Sequence, residues 1–215
     1  MPLTLYDNQR APNPRRARIF IAEKGIEVES IEVDLRNREQ LSDTFRSVNP
    51  RCTVPVLVTP EGQSITENLA IADYLEQCYP SPPLMGTNPS ERAEVLTWNA
   101  ICEQDGIAAI AEVLRNQHKA FSGRAMVGAL NIKQIPDLVE RGHQRWTQFL
   151  QVLDSQLQGR TFLATNDFSL ADITAYISLE FSRMTGMFPD DPQMTELTNL
   201  ETWLGTIQSR PSLSE

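Results

Sequence analysis

Three prolines within four residues, in the stretch Tyr79-Pro80-Ser81-Pro82-Pro83, divide this 215-residue chain into parts with different hydrophobic periods. Proline removes a backbone donor and fixes φ, so no regular element runs through such a stretch. Before it, short apolar runs alternate with helical patterns; after it, every periodic segment is helical. Any sheet must therefore lie in about the first 80 residues, with helices making up the rest.

Leu3 to Tyr6 suits a buried strand. Asn13-Pro14 then predicts a helix start, with Asn as cap and Pro at the first helical position. The helix carries Ile19, Phe20 and Ala22 and stops at Lys24, with Gly25 as its left-handed end. Ile26 to Val33 interleaves β-branched residues with Glu, as a strand with one wet face does, and Glu39 to Val48 predicts a short polar helix or helical loop. Val54 to Val58 and Ser64 to Thr66 flank Pro60-Glu61-Gly62, turn chemistry for two antiparallel strands. Glu67 to Cys78 places Leu69, Ala72 and Leu75 on one helical face.

The order β-α-β then β-β-α is that of a thioredoxin-like module. The predicted fold class is α/β plus all-α: a thioredoxin-like βαβ-ββα domain over 1–80, a linker over 81–89, and an all-helical domain over 90–215. In the latter, long helices are expected from about Ser90 to Gln117 and from Pro136 to Gln158, and a last one from Leu197 to Gln208. Ser169-Leu170-Ala171-Asp172 has the form of a capping box, with Asp in place of Glu, ahead of the apolar run Ile173 to Leu179.

A net charge of -9 and a pI near 4.8 oppose binding to phosphate backbones, so no nucleic-acid partner is expected. Arg15, Arg16 and Arg18 run against this sign, either as an anion site or as solvated helix surface, with Arg18 open to a local ion pair. No apolar stretch predicts a signal peptide or a membrane span, and Cys52, Cys78 and Cys102 lack the spacing of a metal site. The expectation is a cytoplasmic protein with reduced thiols and no metal.

Two places suit a ligand. Pro55 opens a strand: if the Val54-Pro55 bond is cis, the Val54 N–H and C=O face outward as an unpaired edge for an extended peptide. The alternative is a trans proline on an ordinary edge strand. Glu67-Asn68 sets a carboxylate beside the N–H groups of a helix start, a pair that matches a zwitterion; the plainer role for Glu67 is a partner of the helix dipole.

The segments NPRRARIFIAEKGI and NPRCTVPVLVTPEGQSITENLAIADYL resemble the N-terminal half of cytosolic glutathione transferases, and FSLADIT resembles their C-terminal capping segment. The resemblance implies glutathione as co-substrate, transfer of its sulfur to small apolar electrophiles in detoxification, and a homodimer. It also implies that Val54 binds the cysteinyl backbone beside Pro55, that Glu67 and Asn68 bind the γ-glutamyl group, and that Arg51 or Thr53 faces the glycine carboxylate. Most members carry Ser where this chain has Asn68.

The position of the usual activating serine falls on Ala11, which has no hydroxyl, and no Cys lies between Ala11 and Arg16. The pattern Ala11-Pro12-Asn13-Pro14 resembles an atypical bacterial and fungal subgroup without catalytic Tyr, Ser or Cys. That resemblance implies activation by a helix N-terminus and a held water. Asn13 is then either a donor to sulfur or the helix cap, and His118 with Ser122 either holds the water or lies at the surface. His143 is read as a surface residue. Phe121, Trp98 and the loop Ala125 to Ile132 line an electrophile pocket, or the aromatics are core. Cys52 either forms a mixed disulfide or stays idle; Cys78 and Cys102 are expected to be buried. Two other functions stay open: a non-enzymatic or regulatory glutathione-binding protein, and a glutathione-dependent peroxidase.

Overall fold

The computed structural model describes residues 2–186 and 196–214. It divides into two compact units, one of residues 1–82 with 126–131, the other of residues 83–125 and 132–215.

The first unit runs β1 (Thr4–Asp7), α1 (Pro12–Glu23), β2 (Glu29–Glu32), α2 (Asp43–Val48), β3 (Val56–Val58), β4 (Ser64–Thr66) and α3 (Asn68–Cys78). The sheet order is β2-β1-β3-β4; β2 pairs parallel to β1, and the other two pairings are antiparallel. This is the predicted βαβ-ββα order. Leu5 faces Leu57 across the central pair and both are buried, so the apolar run of β1 ends up in the core. Strand β2 is shorter than the expected Ile26 to Val33, because the Ile26 N–H returns to the Ile21 carbonyl at the end of α1. On α3 the buried stripe is Ile71, Ala72 and Leu75, whereas Leu69 is 37% exposed. At 100° per residue Leu69 and Leu75 lie about 120° apart, too far for one narrow stripe, while Ile71 lies about 40° from Leu75.

Lys24, buried at the end of α1, reaches the Glu76 carboxylate at 2.5 Å and the carbonyls of Tyr79 and Pro82 at 2.7 Å each. A buried ammonium needs both charge and hydrogen-bond partners, and here it has them.

The second unit consists of α4 (Pro89–Ile101), α5 (Ala108–Gln117), α6 (Asp137–Gln156), α7 (Leu170–Thr185) and α8 (Thr198–Ile207), with no strand among the described residues. The expected helix from Ser90 to Gln117 is interrupted by a π-helical turn, Cys102–Ile107. That wider turn redirects carbonyls toward side-chain donors: Arg145 donates to the Gln104 carbonyl and the Ser178 hydroxyl to that of Cys102. Cys102 is buried as expected. Cys78, in the last turn of α3, is exposed, contrary to expectation.

Helices α5 and α6 approach closely at Gly142, where a Cβ would stand 2.7 Å from Val113 Cγ2 and 2.9 Å from the Ala109 carbonyl. Gly142→Ala is expected to destabilise the protein by about 1–3 kcal/mol through overpacking, read as a lower midpoint in urea unfolding with unchanged slope.

The capping box forms, and it does more than cap. The fully buried Asp172 carboxylate accepts from Ser169 N (3.0 Å), Ser169 Oγ (2.9 Å), Leu163 N (2.8 Å) and Trp203 Nε1 (2.9 Å). One side chain thus joins the start of α7, the preceding loop and α8. Among the described residues no helix is long and apolar enough to cross a membrane.

Candidate functional site

The loop between β1 and α1 is braced from behind by Arg18. Its Nη1 reaches buried Asp7 Oδ1 at 2.5 Å and the Asn8 carbonyl at 3.3 Å, and its Nη2 reaches the Gln9 carbonyl at 3.2 Å. The local ion pair open to Arg18 is therefore made. Arg16 is buried, so the basic cluster is not a solvated face at that position.

Helix α1 begins at Pro12 with Ala11 as its cap, two residues earlier than Asn13-Pro14 predicts. Asn13 is thus the second helical residue and not the cap. Its Oδ1 accepts from Arg16 Nη1 at 3.4 Å, which leaves Nδ2 as its outward donor. Pro12 and Pro14 have no N–H, and the Arg15 N–H bonds the Ala11 carbonyl. Of the first-turn donors only the Asn13 main-chain N–H has no acceptor among the described residues.

A second turn, Asn49 to Val54, is organised by one buried amide. Asn49 Oδ1 accepts from Arg51 N at 2.9 Å, while its Nδ2 donates to Thr53 O at 2.8 Å and Thr53 Oγ1 at 3.0 Å. Cys52, held at φ 58°, is buried and donates its N–H to the Asn49 carbonyl. The Val54-Pro55 bond is cis, and no described residue hydrogen-bonds the Val54 N–H or C=O. Thr53 keeps its hydroxyl proton to donate.

Glu67 is the N-cap of α3, at φ 70° and ψ 131°, with no side-chain capping bond. A non-glycine residue in that sparsely populated region is a strained position of the kind that clusters at ligand clamps. Its carboxylate is exposed and lies 3.5 Å from Arg51 Nε, an exposed pair of little stability. Asn68 is buried, and its Oδ1 has no hydrogen-bond partner. The first turn of α3 leaves the N–H groups of Asn68, Leu69 and Ala70 unbonded, since the Ile71 N–H is the first to return, to the Glu67 carbonyl. Arg51, Thr53, Val54, Pro55, Glu67, Asn68 and Asn13 all belong to the first unit.

The remaining predicted residues lie in the second unit. His118 ends α5 and caps the short 3-10 turn that follows, its Nδ1 accepting from the Ala120 N–H at 3.1 Å. Ser122 ends that turn and is exposed. Phe121 is half-buried, with the guanidinium groups of Arg115 and Arg124 at 4.5 Å and 5.6 Å from its ring centre. Trp98 is half-buried on α4, and His143 half-buried on α6. Burial, aided by neighbouring Arg124, lowers the Arg115 guanidinium from its ordinary value.

Two family models match this chain: the glutathione S-transferase N-terminal domain over residues 11–78 and the C-terminal domain over residues 125–211. A glutathione S-transferase domain-containing protein from Marinobacter aquaeolei superposes with a TM-score of 0.87 at 31% identity, covering 98% of this chain and 99% of that one. The chain belongs to the glutathione S-transferase family. Two further relatives are glutathione S-transferase 2 of Saccharomyces cerevisiae, 26% identical over 99% of this chain and 88% of its own length, and FtsZ-localized protein A of Caulobacter vibrioides, 30% identical over 97% and 87%. The expected transferase enzyme agrees with the first of these two.

The first unit thus holds an unpaired backbone edge at Val54, the exposed Glu67 carboxylate and the partnerless Asn68 Oδ1, and three unbonded N–H groups at the start of α3. Nothing in the sequence marks Asn49 for its role in the turn. An Asn before Pro50 is an ordinary turn signal, and the three bonds that its buried amide makes have no counterpart in any periodicity.

Proposed function

We propose that this protein adds the sulfur of glutathione to small apolar electrophiles. The observation that carries the reading is the Glu67-Asn68 corner, where a carboxylate, a buried acceptor without a partner and three free N–H groups meet. An α-amino acid head group has one ammonium and one carboxylate on the same carbon, and this corner offers a complement to each. The Val54 N–H and C=O pair with the cysteinyl residue, as an added strand would. Arg51 leaves Glu67 and turns to the glycine carboxylate, helped by the Thr53 hydroxyl.

The attacking species is the thiolate, and each unit by which its pKa falls takes about 1.4 kcal/mol of preferential stabilisation. Ala11 supplies none. Asn13 offers two donors, its main-chain N–H and its Nδ2, at the positive end of α1. His118, with Nδ1 already used, offers Nε2 toward a water shared with Ser122. Phe121, Trp98 and the loop 125–132 supply the apolar side for the electrophile. The cytoplasmic homodimer belongs to this reading on family grounds.

The test is a pH titration of the thiolate absorbance of glutathione bound to the purified protein. The reading expects a midpoint at least about one unit below the free-thiol value near 8.5, and an Asn13→Ala midpoint that moves back part of the way. A bound thiol that titrates like the free one leaves a glutathione-binding, regulatory protein. Turnover of hydroperoxides with little aryl transfer indicates the peroxidase.

A further inference from the structure

The side-chain amide of Asn49 can take only one orientation. Its Oδ1 faces a donor, the Arg51 N–H at 2.9 Å, and its Nδ2 faces two acceptors, the Thr53 carbonyl at 2.8 Å and Thr53 Oγ1 at 3.0 Å. Exchanging oxygen and nitrogen would set donor against donor and acceptor against acceptor. Asn49 is 1% exposed, so bulk water does not relax the arrangement, and both Nδ2 protons are engaged.

That orientation is passed on to Thr53. A hydroxyl has one proton, and because the oxygen accepts from Asn49 the proton must point away from the amide. No described residue accepts it. Thr53 is half-buried, so the hydroxyl still reaches the surface, with its donor direction already set. A donor that is aimed before the ligand arrives loses little rotamer freedom on binding, and its bond to a carboxylate is charge-assisted.

We propose that Asn49 is a positioning residue for the glycine end of glutathione: it holds the Thr53 hydroxyl as a donor to the terminal carboxylate and so sets a preference for glutathione over the dipeptide γ-glutamylcysteine. The inference rests on the assignment of Thr53 to that carboxylate. The dipeptide also ends in a carboxylate, but on the cysteinyl carbon, one residue short of the one Thr53 would meet. The bond from the Arg51 N–H has a different task, since it ties the main chain of the turn and serves both ligands alike.

The experiment measures Kd for glutathione and for γ-glutamylcysteine by calorimetry and compares their ratio across Asn49→Ser, Thr53→Ala, Thr53→Ser and the double variant Asn49→Ser/Thr53→Ala. A serine at 49 can still accept from the Arg51 N–H, as such turns allow, while dropping both bonds to Thr53. The unaltered protein is expected to favour glutathione about tenfold or more, Thr53→Ala to narrow that ratio about fivefold and Asn49→Ser about threefold. Thr53→Ser should keep the ratio within about twofold, and the double variant should be no narrower than Thr53→Ala, because Asn49 acts through the hydroxyl. Equal weakening of both ligands in Asn49→Ser makes the residue a plain support of the turn and overturns the proposal; so does further narrowing in the double variant. Thr53 lies outside helix and strand, so Thr53→Ala spares the fold, and an unchanged ratio there overturns the proposal even if Asn49→Ser does not fold. An unaltered protein that binds both ligands equally sinks this inference alone, whereas one that binds neither sinks the glutathione assignment on which it rests.

Discussion

Glu67→Gln is expected to weaken glutathione binding about tenfold to a hundredfold while leaving thermal stability near that of the parent protein. The change removes the charge that faces the ligand ammonium and keeps the shape, and a hydrogen bond to a charged group accounts for a loss of that size. Stability barely moves because Glu67 makes no capping bond and its pair with Arg51 is long and exposed. Calorimetric titration beside a thermal melt separates the two effects. Unchanged affinity removes Glu67 from the site, and a large fall in melting temperature would mean that the residue supports α3 instead.

Asp172→Ala is expected to do the reverse, costing about 3–5 kcal/mol and lowering the melting temperature by roughly 10 °C, with glutathione affinity kept in the fraction that folds. Four donors lose their acceptor at once, in a place water does not reach. Burial pushes the Asp172 carboxyl above its ordinary 3.8, and hydrogen bonds from Leu163, Trp203 and Ser169 pull it only part of the way back. The folded state therefore holds this proton more tightly than the unfolded state. The resulting stability is present below 3.8 and is lost as pH rises through the folded value. Stability measured against pH in Asp172→Asn should lack that acid-side slope; an unchanged slope would assign it to other carboxyls.

Most of the fold was legible because period and punctuation both survive in a single sequence. Prolines at 80, 82 and 83 end the mixed half, and Gly25 closes α1 at φ 62°. The misplaced start of α1 has a specific cause: Asn13-Pro14 is a good capping pair, yet Pro12 suits the first helical position just as well, and Ala11 as cap gives no side-chain signal. The π-turn was invisible since its residues, Cys102 to Ile107, keep a helical pattern, and only Gly106, pressed against Phe149 and Ser178, marks where three helices crowd together. The turn at Val54-Pro55 and the helix start at Glu67-Asn68 were readable from turn and helix-start chemistry. The fork of Arg115 on the Arg124 and Ala125 carbonyls was not, because it runs through main-chain carbonyls, which no side-chain pattern records.

The two prolines around Asn13 bear on how durable this catalyst is to mutation. The donor they leave behind in the first turn is a peptide group, common to all residues but proline. On the proposed reading, replacements at 13 other than proline would tune the thiolate without removing that donor, so activity would drift gradually as codons change, without the abrupt loss expected when a single side-chain donor is replaced.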